Sequence, residues 1–457
     1  WLRAVCADSW NRLLFPSLER ELRSELTDAA NEQAIHTFAL NLRPLLMQPP
    51  VRGRVTLGFD PAYRTGCKLA VVDATGKVLE TAVIYPTPPH KKTEEAKKVL
   101  RRLCGKHHIT CIAIGNGTAS KESEIFVADF IKEYGGGIAY MVVSEAGASV
   151  YSASKLGAEE FPDFDVSLRS AVSIARRLQD PLAELVKIDP KAIGVGQYQH
   201  DMPQARLSEA LDGVVEDCVN AVGVDLNTAS PALLSRVAGV TSTVSKNIAA
   251  YREQNGKFES RKQLLKVKGL GPKAFEQCAG FLRVPDGENL LDRTGVHPEA
   301  YEAAQTLLTL CGYTAEDAAQ GKISELPARV KQLGAENAAK RCGVGVPTLN
   351  DIVSELIKPG RDPRDELPPP MLRSDVLDLN DLKPGMKLKG TVRNVADFGA
   401  FVDIGVHQDG LVHISQLCNR YVKHPSEVVT VGDIVDVAVL SVDPKSHRIA
   451  LTMKNVK

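Results

Sequence analysis

The spacing of apolar residues changes along this 457-residue chain, and these changes constrain the fold more than any single motif does. Residues 55–190 begin with short apolar runs, and further short runs then alternate with stretches of helical periodicity. This pattern indicates a mixed sheet covered by helices. Residues 226–358 keep helical spacing, whereas residues 382–454 contain five short alternating runs that predict a small β-barrel. The chain is therefore predicted to be a multidomain α+β protein.

Proline-rich and helical stretches mark the boundaries between these regions. Five leucines near the N-terminus recur at helical spacing and predict a helix whose apolar face packs against a partner: Leu13, Leu14, Leu18, Leu22 and Leu26. Prolines between positions 359 and 370 are typical of a linker. We divide the chain into a helical lead segment (1–54), an α/β domain (55–190), a connecting helical segment (191–225), two helical regions (226–285 and 286–358), a linker (359–381) and a C-terminal barrel (382–457).

The formal net charge is zero, but the charge is unevenly distributed along the chain. Residues 226–285 carry ten basic and three acidic side chains, a net charge of +7. They lie between residues 201–225, with a net charge of −5, and residues 286–380, with a net charge of −6. A neutral total therefore does not exclude a polyanionic partner, because one compact segment is strongly basic.

Other features bear on the cellular compartment. No stretch of 18 apolar residues occurs, so we expect no membrane-spanning helix. The nine cysteines form no Cys-x-x-Cys pair, which favours reduced thiols in the cytoplasm. The chain begins at Trp1 with no initiator Met, so we expect it to be a fragment of a longer protein. We further expect a monomer that does not contact membranes.

A glycine-rich turn within the basic segment is the most specific local signal. In Lys266–Phe275, Gly269 and Gly271 permit a tight turn between two helices. Free backbone N–H groups at the start of the following helix can hold a phosphate, with Lys268 and Lys273 beside it. This pattern resembles the hairpin of a helix-hairpin-helix module, which implies binding to a nucleic-acid backbone without sequence preference.

An earlier copy of this hairpin lies about 30 residues upstream, at Leu234–Ser242. Its Gly239 matches, but Thr241 stands where the second glycine would be, so the second hairpin is the better candidate for contacting an anion. The alternative interpretation is two ordinary helical turns with solvated lysines.

The C-terminal barrel carries an aromatic signal. Phe398, Phe401 and His413 can present aromatic faces on one surface, on which bases stack. Arg448, with the neighbouring Asp443 and His447, can add polar and phosphate contacts. The whole segment Leu382–Lys454 resembles an S1-type RNA-binding OB-fold.

The alternative is that both phenylalanines belong to the barrel core. Residues three apart in a strand point to opposite faces, so a bulge at Gly399 is expected if Phe398 and Phe401 lie together.

Three stretches of the α/β domain, Gly58–Gly66, Val142–Gly147 and Asp165–Ala175, resemble the YqgF branch of the RNase H-like fold. In active relatives, carboxylates at such positions hold Mg²⁺ for phosphodiester hydrolysis. The resemblance makes Asp60, Glu145 and Asp165 the candidate catalytic and metal-binding residues.

Two observations weigh against catalysis in this domain. Asn116 stands where nuclease relatives can supply another acid. Asp60 and Glu145 can instead accept hydrogen bonds from loop N–H groups, and Asp165 can cap a helix.

The order of these modules resembles the bacterial Tex family of RNA-binding transcription accessory proteins, over essentially the whole chain. Three further stretches, Val172–Pro190, Gly194–Asp201 and Asp292–Pro298, match sequences specific to that family. The resemblance implies nucleic-acid binding in transcription, with the S1 domain as a main contributor and a YqgF domain that is not a demonstrated nuclease. Family members carry a further helical N-terminal region.

Two functions follow. The first is a scaffold without a cofactor, which binds single-stranded RNA, or single-stranded or duplex DNA. It is recruited by RNA polymerase, by the ribosome or by nucleic acid alone. The second is a nuclease that uses Mg²⁺ at the three carboxylates. Residues 286–358 show no readable chemistry, and we expect a packing or protein-contact role for them.

Overall fold

The computed structural model describes residues 1–373, 382–406, 409–430, 432–443, 448–454 and 456. The chain forms two compact units. One contains residues 1–49 and 181–367, and the other contains residues 50–180 and 368–457. No helix in these ranges is long and apolar enough to cross a membrane.

The α/β domain contains a five-stranded sheet in the order β3-β2-β1-β4-β5. The strands are β1 (Thr56–Asp60), β2 (Cys67–Val72), β3 (Val78–Ile84), β4 (Cys111–Gly115) and β5 (Ala139–Val143). The first three are antiparallel because short turns join them, and β4 and β5 are parallel to β1 because a helix precedes each. This is the mixed sheet that the sequence predicts.

Helices cover both faces of this sheet. The helices Thr93–His107 and Ser120–Tyr134 pack on one face, against a core that includes Leu57 and Phe59 of β1. The helix Val166–Gln179 packs on the other face, where Gly58 allows close approach: a Cβ there would overlap the carbonyl oxygen of Ala171. Two short helices, Ala148–Ala153 and Lys155–Glu160, lie between β5 and this helix in the chain.

In the other unit, the lead segment is helical from Leu2, with α-helices at Leu2–Ser9 and Phe15–Leu46 and a π-helical turn between them. Its five leucines find no packing partner within the described residues, so the partner that the sequence predicts for this face stays a prediction. Leu13, Leu14, Leu18, Leu22 and Leu26 are 52–63% exposed. The buried residues lie later in the helix, at Ile35, Phe38, Leu42 and Leu46, and this part packs against the helix Gln204–Val222.

Residues 226–367 of the same unit are built from short helices. A parallel pair of two-residue strands, β6 (Val224–Asp225) and β7 (Leu282–Arg283), joins their first part. The α-helices are Pro231–Leu234, Ser242–Asn255, Pro272–Cys278, Tyr301–Leu310, Ala315–Ala319, Leu326–Leu333, Ala335–Cys342 and Val346–Ile357.

A buried arginine, Arg261, links the two helical regions. It is 1% exposed, and its guanidinium donates hydrogen bonds to Leu282 O (2.6 Å), Val296 O (2.7 Å), Leu291 O (3.3 Å), Thr294 O and Tyr301 Oη (2.8 Å). Asp292 accepts hydrogen bonds from the Arg261 backbone N–H (3.1 Å) and from the Tyr301 hydroxyl (2.6 Å). The stretch Asp292–Pro298 therefore has a structural role: it surrounds this side chain.

The C-terminal domain is a closed five-stranded barrel in the order β10-β12-β11-β8-β9. Its strands are β8 (Lys387–Ala396), β9 (Gly399–Asp403), β10 (Gly410–His413), β11 (Ile434–Asp443) and β12 (Arg448–Thr452). Alternate residues fill the interior, among them Val402, Val412 and Leu451, which are fully buried. The predicted barrel and the predicted multidomain α+β class are confirmed.

One linker residue, Arg373, contacts both the sheet and the barrel. Its backbone forms an antiparallel bridge with Tyr140 of β5 through two hydrogen bonds, of 2.7 and 2.8 Å. Its guanidinium bonds Glu124 (3.4 Å) and Asp403 (3.1 Å), and Asp403 also accepts from Arg393 (2.6 Å). Burial alone would raise the pKa of Asp403, but these two arginines hold it below its ordinary value.

Candidate nucleic-acid interface

The two phenylalanines of the barrel lie together, but not by the predicted route. Phe398 is in the two-residue turn between β8 and β9, so strand alternation does not fix its direction. Its ring lies edge-on to that of Phe401, with 6.0 Å between centroids and 88° between planes. The bulge lies on β8, at Arg393, and not at Gly399. Since Phe398 is 51% exposed, the interpretation of both rings as core is wrong.

His413 completes this aromatic surface. It pairs with Gly399 across β10 and β9, where a Cβ on Gly399 would overlap the carbonyl oxygen of Val412. His413 is exposed, and its Nδ1 accepts a hydrogen bond from the backbone N–H of Ser415 (3.2 Å). The neutral imidazole therefore carries its proton on Nε2.

Arg448 lies on the same outer face but at its other end. Leu411 pairs with Ala450 in parallel strands β10 and β12, which sets Arg448 beside position 409. His413 lies four residues after position 409 along β10, so Arg448 and His413 are about 13 Å apart along the strand direction. Arg448 is exposed and pairs in register with Asp443, whereas His447 lies outside the described residues.

The second hairpin of the basic segment presents its lysines to solvent. Lys268, Gly269, Gly271 and Lys273 are all exposed, and Gly269 has a φ of +86°, a backbone conformation that favours glycine. The amide of Asn247 donates a hydrogen bond to Lys268 O (2.7 Å), which fixes the turn. Gly271 precedes the helix Pro272–Cys278 and offers it no side-chain cap.

The first hairpin has the same backbone and different chemistry. Gly239 has a φ of +77° and packs against Gln277, as Gly269 packs against Asn247, so the two hairpins are related by a repeat of 30 positions. Here, however, Thr241 caps the following helix by accepting a hydrogen bond from Val244 N–H (3.3 Å). The Thr241 hydroxyl thus accepts from an N–H group at the start of its helix, whereas the corresponding helix of the second hairpin has no side-chain cap.

Asp60 lies at the carboxyl end of β1 in the α/β domain, where its side chain is partly buried. Burial raises the pKa of Asp60 to about 6; a hydrogen bond from Ser170 opposes the rise, the nearby Glu145 carboxylate adds to it, and the Lys68 cation opposes it. Asp60 and Glu145 are therefore close enough to interact electrostatically.

Glu145, which follows β5, is hydrogen-bonded to the loop after β4. The Glu145 backbone N–H donates to Asn116 Oδ1 (2.9 Å), and its carboxylate accepts from the backbone N–H of Gly117. A Cβ on Gly117 would overlap that carboxylate. Burial raises the pKa of Glu145. Asn116, which stands where nuclease relatives can supply another acid, thus orients Glu145. The sequence pattern did not reveal this role.

Asp165 caps the helix Val166–Gln179, accepting a hydrogen bond from Leu168 N–H (2.7 Å). Within the described ranges, no group of three or more His, Cys, Asp or Glu side chains could hold a metal ion. The geometry therefore brings two of the three predicted carboxylates together and uses the third at a helix end.

Four family models match successive parts of this chain. The Tex protein YqgF-like domain matches residues 54–179, and the helix-hairpin-helix motif matches residues 219–283. An HHH domain matches residues 289–364, where the sequence alone offered no chemistry, and the S1 RNA binding domain matches residues 381–454.

Curated relatives align with nearly the whole chain. "Transcriptional accessory protein Tex" of Neisseria gonorrhoeae is 53% identical over 99% of the chain and 59% of its own length. "Protein tex" of Bordetella pertussis is 52% identical over 99% and 57%, and the human "S1 RNA-binding domain-containing protein 1" is 40% identical over 98% and 51%. The chain spans less than two thirds of the length of these relatives. From the module order and these identities, the chain belongs to the Tex family.

Proposed function

We propose that this chain is the nucleic-acid-binding part of a transcription accessory factor, which binds single-stranded RNA as a scaffold and needs no cofactor. The observation that supports this most directly is the half-exposed Phe398 ring beside Phe401 and His413 on the outside of a closed barrel. Aromatic faces on an OB-type barrel stack bases of any sequence.

Replacing both phenylalanines with alanine tests the proposal. Stacking contributes roughly 1–3 kcal/mol per base, so Phe398→Ala with Phe401→Ala should weaken binding to a single-stranded RNA at least tenfold. Tyr198→Ala, which removes a 68% exposed aromatic residue outside the barrel, is the matched control. An unchanged Kd for the double variant would refute the stacking role.

The second hairpin should contribute phosphate contacts. Lys268→Gln with Lys273→Gln should lower the slope of log Kd against log salt by about 1.4, at about 0.7 per phosphate on a single strand. The paired control is Lys331→Gln with Lys340→Gln, two exposed lysines of the second helical region. Equal slopes in both pairs would remove the hairpin from the interface. The same titrations on single-stranded and duplex DNA would show which nucleic acid is preferred.

A metal-dependent nuclease is the second candidate, because Asp60 and Glu145 lie close together at one edge of the sheet. Mg²⁺ prefers carboxylate oxygens, and these two residues could supply some of its ligands. The fit is incomplete, because the described residues offer no group of three ligands and Asp165 caps a helix. Incubating branched and single-stranded substrates with Mg²⁺ or Mn²⁺, with Asp60→Asn as the comparison, decides it: cleavage by the wild type alone would establish the nuclease.

We also propose a cytoplasmic monomer that does not contact membranes and is recruited by RNA polymerase or the ribosome. The nine cysteines are all free thiols, which supports a reducing compartment. Light scattering of the purified chain tests the monomer, and co-purification from nuclease-treated extract tests recruitment. The domain boundaries at 54/55, 190/191, 225/226, 285/286, 358/359 and 381/382 are proposals that limited proteolysis can test.

A further inference from the structure

A loop between β10 and β11 exposes an aromatic residue that has no part in the barrel. Tyr421 is 91% exposed, far more than Phe398 at 51%. Arg420 and Lys423 flank it and are also exposed. An aromatic ring that is nearly all in water, between two cations, is unusual for a residue with only a packing role.

The loop is anchored on both sides of Tyr421. Leu417, 2% exposed, packs in the barrel core, and Val422, next to Tyr421, is 5% exposed. The Cys418 thiol donates to Arg420 O (3.4 Å), and the His424 N–H donates to Glu427 Oε1 (3.2 Å) where the chain enters the next helical turn. Since the backbone is already fixed, a ligand that binds Tyr421 has little loop entropy to remove.

The loop leaves the barrel at the end where the aromatic surface lies. His413 is the last residue of β10, and the next residue, Ile414, donates its N–H to Phe398 O (2.9 Å). Gln416 then accepts from Met453 N–H (2.9 Å), which keeps the start of the loop against the end of β12. The loop therefore starts at the end of the barrel that carries Phe398 and His413.

The local charge favours an anionic ligand. In the described part of the chain, no Asp or Glu lies within ion-pair distance of Arg420 or Lys423. Alternating aromatic and cationic side chains suit a single nucleic-acid strand, in which bases and phosphates also alternate.

We propose that Tyr421 stacks a further base and that Arg420 and Lys423 contact the flanking phosphates, which extends the single-strand binding site beyond His413. This inference rests on the proposed function of the barrel. Stacking of a base needs the ring of Tyr421 and not its hydroxyl. A protein partner that hydrogen-bonds the hydroxyl would therefore respond differently to loss of that group.

The test uses the full chain and a labelled 20-nucleotide oligouridine. Tyr421→Ala should weaken binding by roughly 5- to 150-fold, the range that stacking of one base gives, whereas Tyr421→Phe should stay within about twofold of wild type because it keeps the ring. Arg420→Gln with Lys423→Gln should lower the salt slope by about 1.4. All variants should unfold at the wild-type temperature, because the side chains are exposed.

The outcomes separate this inference from the proposed function. If Phe398→Ala with Phe401→Ala loses affinity and Tyr421→Ala does not, the barrel binds RNA and the extension is wrong. If neither loses affinity, the stacking role proposed for the barrel fails, and the extension fails with it. An equal loss for Tyr421→Ala and Tyr421→Phe would show that the hydroxyl matters, which overturns stacking.

Discussion

Replacing Arg261 with methionine should separate the two helical regions that this side chain joins. Methionine fills a similar volume but donates no hydrogen bond. The substitution therefore removes the Arg261 donor from four acceptors, namely the carbonyl oxygens of Leu282, Thr294 and Val296 and the hydroxyl oxygen of Tyr301. The carbonyl oxygen of Leu291 also loses Arg261 but still accepts from the N–H (3.2 Å) and the hydroxyl (2.8 Å) of Thr294. Because Arg261 is 1% exposed, water cannot replace these bonds without opening the structure.

The loss in free energy of unfolding follows from these contacts. Each buried polar group left unsatisfied costs about 1–3 kcal/mol. Removing the cation recovers its desolvation energy, and some carbonyls will find other donors. A net loss of about 3–5 kcal/mol is expected. At about 2–4 °C per kcal/mol for a domain of this size, the helical part should melt roughly 10 °C lower.

Circular dichroism at 222 nm and hydrogen exchange would measure the effect. Amides of the helix Tyr301–Leu310 should lose protection, while those of Thr93–His107, in the α/β domain, should not change. Arg341→Met, at an exposed helical position, is the control and should change stability by less than about 0.5 kcal/mol. A variant that melts within 1 °C of wild type would refute this account of Arg261.

Three further changes test other parts of the structure. Arg373→Met removes the cation between two carboxylates and should destabilise the chain by about 1–3 kcal/mol, more at low salt than at high salt in thermal melts. The raised pKa of Asp60, about 6, means that the folded chain keeps a proton that the unfolded chain releases near 3.8. Stability should therefore fall between about pH 4 and pH 6 by at most about 3 kcal/mol, and urea titrations of Asp60→Asn should lack this fall. Gly117→Ala should displace Glu145 and destabilise by about 1–3 kcal/mol, whereas Gly105→Ala, in an open helical position, should be neutral or stabilising in the same melt.

Much of the fold was predictable because its elements carry local signals. The strands Val78–Ile84, Cys111–Gly115 and Ile434–Asp443 coincide with short apolar or alternating runs between turn residues, the local pattern that specifies a strand. The lead helix was predictable as a helix, but not the face that it buries. Its leucines and its buried Ile35 and Phe38 have the same spacing, and only the position of the partner helix distinguishes them.

The candidate sites show where local sequence is insufficient. Phe398 and Phe401 lie together because a two-residue turn frees the first ring from strand alternation, and a turn boundary cannot be located that finely from sequence. Asp60 and Glu145 are 85 positions apart and meet because β1 and β5 end at the same edge, which the strand order decides. The helix cap at Asp165, by contrast, was readable from the residues around it.

The backbone bridge between Arg373 and Tyr140 has a consequence for solubility. β5 is the last strand of its sheet, and an unpaired outer strand is a template on which another molecule can add its own strand. Arg373 occupies two hydrogen-bonding groups of that strand. A fragment that stops at residue 179 would lack this bridge, so the isolated α/β domain should self-associate more readily than the same domain in a chain that includes Arg373.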